Sequence, residues 1–202
     1  MKGLIDTSVI MKAALNKEEG IRTDRLLSHV AAFEVSTYHK LLFVTDAAIN
    51  VSPDLDGKKS IIQNAVDALN NLGIKNPKVA LLAAKEKADP KMPVTLEYET
   101  LVKMNEDGQM PNCILAGPLA LDNAVSKESA RIKKIEGPVA ADADILFCPD
   151  IEAGNILYKT LAFLTDAKNG GVVLGAARPI ILTSRADSAH SKLISIILGV
   201  LF

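Results

Sequence analysis

Residues 144–161, DILFCPDIEAGNILYKTL, constrain the fold more than any other stretch of this chain. Ile145, Leu146, Phe147 and Cys148 form a short unbroken apolar run, the pattern of a strand buried on both faces. Pro149 ends it, because proline brings no N–H to a ladder. Asp150, Glu152, Gly154 and Asn155 crowd into one turn. The helical period that follows sets Ile156, Leu157, Thr160, Leu161 and Leu164 on an inner face, with Lys159 and Asp166 away from it. Gly170 is placed to stop that helix. In α/β proteins the loop between such a strand and helix is where anions and small ligands are held. An ordinary strand-to-helix turn has the same pattern. Gly154, which lets backbone approach a ligand closely, and Asn155 favour a site.

The same unit recurs along the chain. A short helix over 7–16 leads to a basic loop, GIRTDRLLSHV, with Arg22 and Arg25. Two guanidinium forks suit phosphate capture, although a solvated loop has the same composition. Strands over 29–35 and 40–45 are close enough in sequence to form an antiparallel hairpin. Ile61, Ile62, Ala65, Val66, Leu69 and Leu72 keep helical spacing over 57–72, and Gly73 closes the helix. Then come a strand over 79–83, a helix ended near Gly108, a strand over 113–116, a Gly117-Pro118 turn and a polar helix capped by Ser126. Beyond the central stretch, strands over 172–176 and 180–182 are joined through Arg178-Pro179, and a last helix starts near Ser188. Alternating strands and helices with one hairpin predict an α/β protein with mostly parallel, mixed sheets and flanking helices.

Composition narrows the function. Aromatic residues are only 4% of the 202 and tryptophan is absent, which disfavours a base-stacking surface. A formal net charge of -1 gives no general attraction to nucleic acid or anionic lipid, so neither partner is expected. Cys113 and Cys148 sit inside apolar runs without C-x-x-C spacing and read as reduced core residues. The three histidines lack metal-ligand spacing, so no metal site is expected. There is no visible signal peptide, and the terminal ISIILGVLF is too short to span a bilayer, so the expected compartment is the cytoplasm.

Three clusters at strand ends can carry chemistry: Asp46 with Asn50; Asp150 with Asn155 and Lys159; and Thr183-Ser184-Arg185-Ala186-Asp187-Ser188. The last puts a hydroxyl, a guanidinium and a carboxylate between an apolar strand and a helix start, a set that can hold phosphate and supply a base. Ser-x-x-Asp also makes helix caps, and that reading stays open. No Gly-rich dinucleotide loop, P-loop or G-x-S-x-G elbow is present.

Seven segments, in order, carry a family resemblance: KGLIDTSVIMKAALNKEEGIRT, LLSHVAAFEV, LLFVTDAAINVSPDL, KMPVTLE, GPLALDNAVS, DADILFCPDIEAGNILYKTL and PIILTSRADS. They resemble the phosphate acetyltransferase/phosphate butyryltransferase family, with the butyryltransferase branch the nearer. The resemblance implies an isocitrate/isopropylmalate dehydrogenase-like architecture of two domains with the active site in the cleft between them. It also implies further chain before the position of Met1 and therefore an incomplete first domain. On this reading residues 1–37 and 167–202 are what remains of the first domain, and residues 38–166 form the second.

The implied reaction moves a butyryl or similar short acyl group between coenzyme A and inorganic phosphate. Acyl-CoA and phosphate are then the partners, and no tightly bound cofactor is needed. The implied catalytic residues are Ser184, Arg185 and Asp187. Arg22, Arg25, Asn155 and Lys159 line the substrate side. The general base stays open: Asp187 is the local carboxylate, whereas the acetyltransferase branch places its acid near Ser191. A homodimer or larger homo-oligomer of the full-length form is implied. A non-catalytic acyl-CoA-binding or regulatory domain is the alternative. Three departures from the family pattern stand out: Lys12 for arginine, Ala116 for aspartate and Ala141 for glycine. Lysine loses the bidentate fork, and alanine is strained wherever φ is positive.

Overall fold

The computed structural model describes residues 5–183 and 187–202. In chain order the elements are α1 (Thr7–Ala14), β1 (Ser28–Glu34), β2 (Leu42–Thr45), α2 (Leu55–Asn71), β3 (Lys78–Leu82), α3 (Pro93–Glu106) and β4 (Ile114–Leu119). They continue with α4 (Leu121–Val125), α5 (Lys127–Lys133), β5 (Ile145–Phe147), α6 (Ile151–Leu164), β6 (Lys168–Leu174) and α7 (Ala189–Leu201). The strands make one six-stranded sheet in the order β4-β3-β5-β2-β1-β6. Strands β2, β5, β3 and β4 are mutually parallel, and β1 lies antiparallel to both β2 and β6. The expected hairpin is therefore present as β1–β2, and β1 is what makes the sheet mixed.

Successive residues of a strand serve opposite faces, and both faces are covered, so strands read as continuous apolar runs. On one face Val30, Phe43, Val79, Ile145 and Phe147 pack with Ile61, Ile62, Ala65 and Leu69 of α2 and with Tyr98 and Leu101 of α3. On the other, Ala31, Phe33, Val44, Ala80 and Leu146 meet Leu157, Tyr158 and Leu161 of α6 and Ala124 of α4. The crossovers thus divide between the two faces, α2 and α3 on the first and α4 and α6 on the second. Chain leaving β2 goes to α2 on the first face, and chain leaving β5 goes to α6 on the second. The crevice at the carboxyl ends of β2 and β5 is a topological switch point, the usual ligand position in an open α/β sheet.

Four local readings need correction. Helix α6 ends at Leu164, and Gly170 lies inside β6. A Cβ on Gly170 would sit 2.5 Å from Ile194 Cγ2 of α7, so this glycine serves close packing of a helix on the sheet. Ile156, Thr160 and Leu164 face outward, and the buried side of α6 is Gly154 with the partly buried Leu157, Tyr158 and Leu161. The Gly117-Pro118 pair lies within β4, an edge strand where a missing N–H is tolerated. The stretch 180–182 is not a strand. Ile180 makes a single bridge with Val173, exchanging two 2.8 Å backbone hydrogen bonds, after the chain turns at Gly175 with φ +97°.

Candidate active site

Asp46 immediately follows β2 and is buried. Its carboxylate accepts hydrogen bonds from the N–H groups of Ala48 (2.9 Å), Ile49 (3.1 Å) and Asn50 (3.2 Å), and from Asn50 Nδ2 (2.6 Å). Asn50 Nδ2 also donates to Leu27 O at 2.8 Å. Asp46 is thus committed to shaping the switch-point loop, which is why an aspartate and an asparagine stand four residues apart there.

The second cluster divides. Asp150 is the N-cap of α6, accepting from Ala153 N at 2.8 Å. Asn155 Nδ2 donates to Ala47 O at 3.0 Å, tying α6 to the loop after β2. Gly154 makes that approach possible, since a Cβ there would lie 2.0 Å from Asp46 O and 3.1 Å from Ala47 Cα. Lys159, one turn further along, is exposed. Of the basic pair, Arg22 is exposed. Arg25 reaches Asp67 of α2 with Nη2 at 2.7 Å. Both line a cleft of about 530 Å³ whose far side is Ile49 and Asn50, so the structure brings the basic loop to the Asp46 loop.

Of the third cluster, Ser184 and Arg185 lie outside the described residues. Its flanks are described: Thr183 is buried, and Asp187 is half-buried. The Asp187 charge reaches two side chains that sequence reasoning did not single out, His29 and Tyr158. His29 is the second residue of β1, beside the carboxyl end of β2, where Thr45 Oγ1 donates to its carbonyl at 2.9 Å. Its ring stands edge-on to Tyr158, with centroids 5.8 Å apart, and Gly171 of β6 makes room for it. Nδ1 is buried and meets no hydrogen-bond partner among the described residues. Burial pushes the imidazole pKa down against the opposing pull of Asp46 and Asp187, which favours the neutral form. Burial, then the Asp187 charge, push the Tyr158 phenol up to about 12, so it stays protonated and able to donate. The available signal was a lone histidine inside an apolar strand, LSHVAAF.

The crevice therefore gathers a carboxylate, a neutral imidazole and a protonated phenol at the ends of parallel strands, with two arginines on the adjoining cleft. That set can bind an anion, hold a proton and donate to a developing oxyanion. Among the described residues no group of acidic, cysteine or histidine side chains is arranged to hold a metal ion. No described helix is long and apolar enough to cross a membrane.

The sequence model of the family described as "Phosphate acetyl/butaryl transferase" matches residues 1–200. The chain belongs to that family. It is 49% identical to the phosphate butyryltransferase of Clostridium acetobutylicum over 201 residues, covering 100% of this chain and 67% of that protein. It is 48% identical to the phosphate acetyltransferase of Rhizobium meliloti over 202 residues, covering 100% of this chain and 64% of that one. The crystal structure of a branched-chain phosphotransacylase from Enterococcus faecalis V583 aligns with a TM-score of 0.91 at 38% identity, covering 98% of this chain and 71% of that chain. The chain thus spans about two thirds of the length of the family members it matches. One departure from the family pattern has a structural counterpart: Ala141, where glycine was expected, has φ +58°.

Proposed function

We propose that this chain carries acyl transfer between coenzyme A and inorganic phosphate, with a butyryl or similar short chain as the acyl group. Identity of 49% to a phosphate butyryltransferase across the whole chain is the observation that carries this reading. In the direction of acyl-CoA formation, the thiolate sulfur attacks the carbonyl carbon of the acyl phosphate. The C–S bond forms, the carbon–oxygen bond to phosphate breaks, and phosphate leaves with the electron pair. The thiol proton goes to a base at the crevice, and Asp187, whose charge reaches His29 and Tyr158, is the candidate carboxylate. Ser184 and Arg185 are assigned to the oxyanion and the phosphate from the family resemblance. Arg22 lines the same cleft as Asn50 and, unlike Arg25, is in no ion pair among the described residues, which suits it to phosphate. Arg25 serves there once released from Asp67. Asn155 holds the loop that shapes the crevice. Lys159 is assigned to the substrate side. Coenzyme A enters as substrate, and the reading needs no tightly bound cofactor.

The same reading places the protein in the cytoplasm as a homo-oligomer. It divides the fold into residues 38–166 and a unit of residues 1–37 with 167–202, in the manner of isocitrate dehydrogenase-like proteins. The packing of β1, β6 and α7 on one another supports grouping the two outer segments. The test is phosphate-dependent release of thiol from butyryl-CoA, with butyryl phosphate formed in equal amount. Saturable butyryl-CoA binding without turnover favours the acyl-CoA-binding alternative. Absence of both turnover and binding overturns the reading.

A further inference from the structure

The cleft beside the Asp46 loop joins an apolar wall to a basic loop. Met11 and Leu15 stand one turn apart at the end of α1 and share a face. With Leu27 and Ile49 they line the cleft. Met11, Leu27 and Ile49 belong to a small apolar cluster distinct from the two that cover the sheet. Hydrogen bonds set this wall in place: the Asp46 carboxylate accepts from Ile49 N at 3.1 Å, and Asn50 Nδ2 donates to Leu27 O at 2.8 Å. The basic loop is held as firmly. Ile21 N donates to Ala14 O at 2.8 Å, Ala177 N donates to Ile21 O at 2.8 Å, and Thr23 Oγ1 donates to Gly175 O at 2.5 Å. The residues on both sides of Arg22 are thus fastened, to α1 and to the turn after β6. Arg22 itself is exposed and in no ion pair among the described residues, whereas Arg25 is committed to Asp67. Asp24, also exposed, is the acid on this cleft.

An apolar wall with an unpaired guanidinium beside it suits a ligand built the same way, anionic at one end and aliphatic at the other. The cleft volume of about 530 Å³ falls within the roughly 300–1,000 Å³ of small-ligand sites. An acyl phosphate has this form. Its phosphate takes the guanidinium fork, and each methylene of its chain leaves water against the apolar wall. A longer chain covers more of that wall than acetyl does, so the wall discriminates by chain length. A second cavity, of about 560 Å³, opens between Leu157 and Leu161 of α6 and Leu121 and Val125 of α4. It takes in Leu42, the first residue of β2, and so lies toward the amino end of that strand, away from the crevice.

We propose that Met11, Leu15, Leu27 and Ile49 form the subsite for the acyl chain, with Arg22 on the phosphate of the same acyl phosphate, and that this wall sets a preference for butyryl over acetyl. The inference rests on the acyl-transfer reading for its choice of ligand, and its test is binding, which is read apart from turnover. The chain, labelled at its Ile, Leu, Val and Met methyl groups, is titrated by NMR with butyryl phosphate, acetyl phosphate and inorganic phosphate. Butyryl phosphate should shift the methyls of Met11 and Ile49, and inorganic phosphate should leave them in place. Butyryl phosphate should bind about tenfold or more tighter than acetyl phosphate, since a single methylene in an apolar pocket is worth about that much. Met11→Ala and Ile49→Ala should each lower this ratio by about threefold or more, and Arg22→Ala should weaken both acyl phosphates alike and leave the ratio as it is. Shifts at Met11 and Ile49 without phosphate-dependent thiol release from butyryl-CoA would support the subsite and count against acyl transfer by this chain. Equal binding of the two acyl phosphates overturns the proposal. So do shifts confined to Val125, Leu157 and Leu161 with Met11 and Ile49 unmoved, or no binding of butyryl phosphate at all.

Discussion

Replacing Gly154 by alanine tests whether α6 seats directly on the switch-point loop. In an unconstrained helix this change is favourable by about 1 kcal/mol, because alanine is the better helix former. Here the new Cβ would lie 2.0 Å from the Asp46 carbonyl oxygen and 3.0 Å from its carbon, whereas ordinary contact begins near 3.4 Å. Both atoms are backbone and belong to the loop that Asp46 ties down with four hydrogen bonds, so they cannot turn aside. The helix must retreat by an ångström or more. Such overpacking costs about 1–3 kcal/mol, and stretching the Asn155–Ala47 hydrogen bond beyond reach adds about 1 kcal/mol. The net expectation is a loss of about 1–3 kcal/mol. Urea denaturation followed by circular dichroism reads it as a lower midpoint at unchanged slope. Gly199→Ala is the control, since its new methyl meets side-chain atoms only, Ile181 Cδ1 at 2.9 Å and Cγ1 at 3.0 Å with Val172 Cγ1 at 3.9 Å, and these can shift where backbone cannot. Its stability should stay within about 0.5 kcal/mol of the parent or rise slightly. If Gly154→Ala proves as stable as Gly199→Ala, the close seating of α6 on the Asp46 loop is wrong.

Two further outcomes follow from single charges, the first of them at the amino end of the parallel strands. At the amino end, burial raises the Asp142 carboxyl, but hydrogen bonds from Lys78, Lys40 and His39 outweigh it and hold the group well below its ordinary 3.8. A folded value below the unfolded one stabilises the fold at pH above about 4, and that contribution is lost as pH falls further; stability of Asp142→Asn measured against pH should be lower by roughly 1 kcal/mol at neutral pH and flatter below pH about 4, and an unchanged acid limb would refute the assignment. For the residues assigned from the family resemblance, Arg185→Ala should slow acyl transfer roughly tenfold to a hundredfold, Arg185→Lys should recover part of it, and Arg131→Ala on the polar helix α5 should do little; equal effects at the two arginines would remove Arg185 from the site.

The fold was largely legible because burial on both faces writes strands as apolar runs. DILFC and LLFVT announce β5 and β2 without help from neighbours. Glycine was the poorer guide. Gly170 and Gly117 read locally as a helix stop and a turn, yet both lie within strands where another element presses close, a long-range fact that local sequence does not carry. The direction of α6 was misjudged for a related reason. Its outer face also carries large apolar residues, Ile156, Phe163 and Leu164, so periodicity alone could not say which side meets the sheet. At the site, the strand ends read from the sequence are where the structure gathers polar side chains. What each polar residue does there depended on tertiary partners. Asp46 and Asp150 turned out to cap backbone, Arg25 to meet Asp67, and His29 with Tyr158 to line the crevice near Asp187.

Hydrogen exchange of the chain with and without butyryl-CoA and phosphate tests the central claim most directly, because it reads where the substrates bind whether or not turnover follows. The account predicts protection of the peptides covering residues 46–50, the first turn of α6 and residues 183–188, with no change over 121–127 on the cavity beside α4. Protection confined to 121–127 and 157–161, with the carboxyl ends of β2 and β5 unaffected, would contradict it.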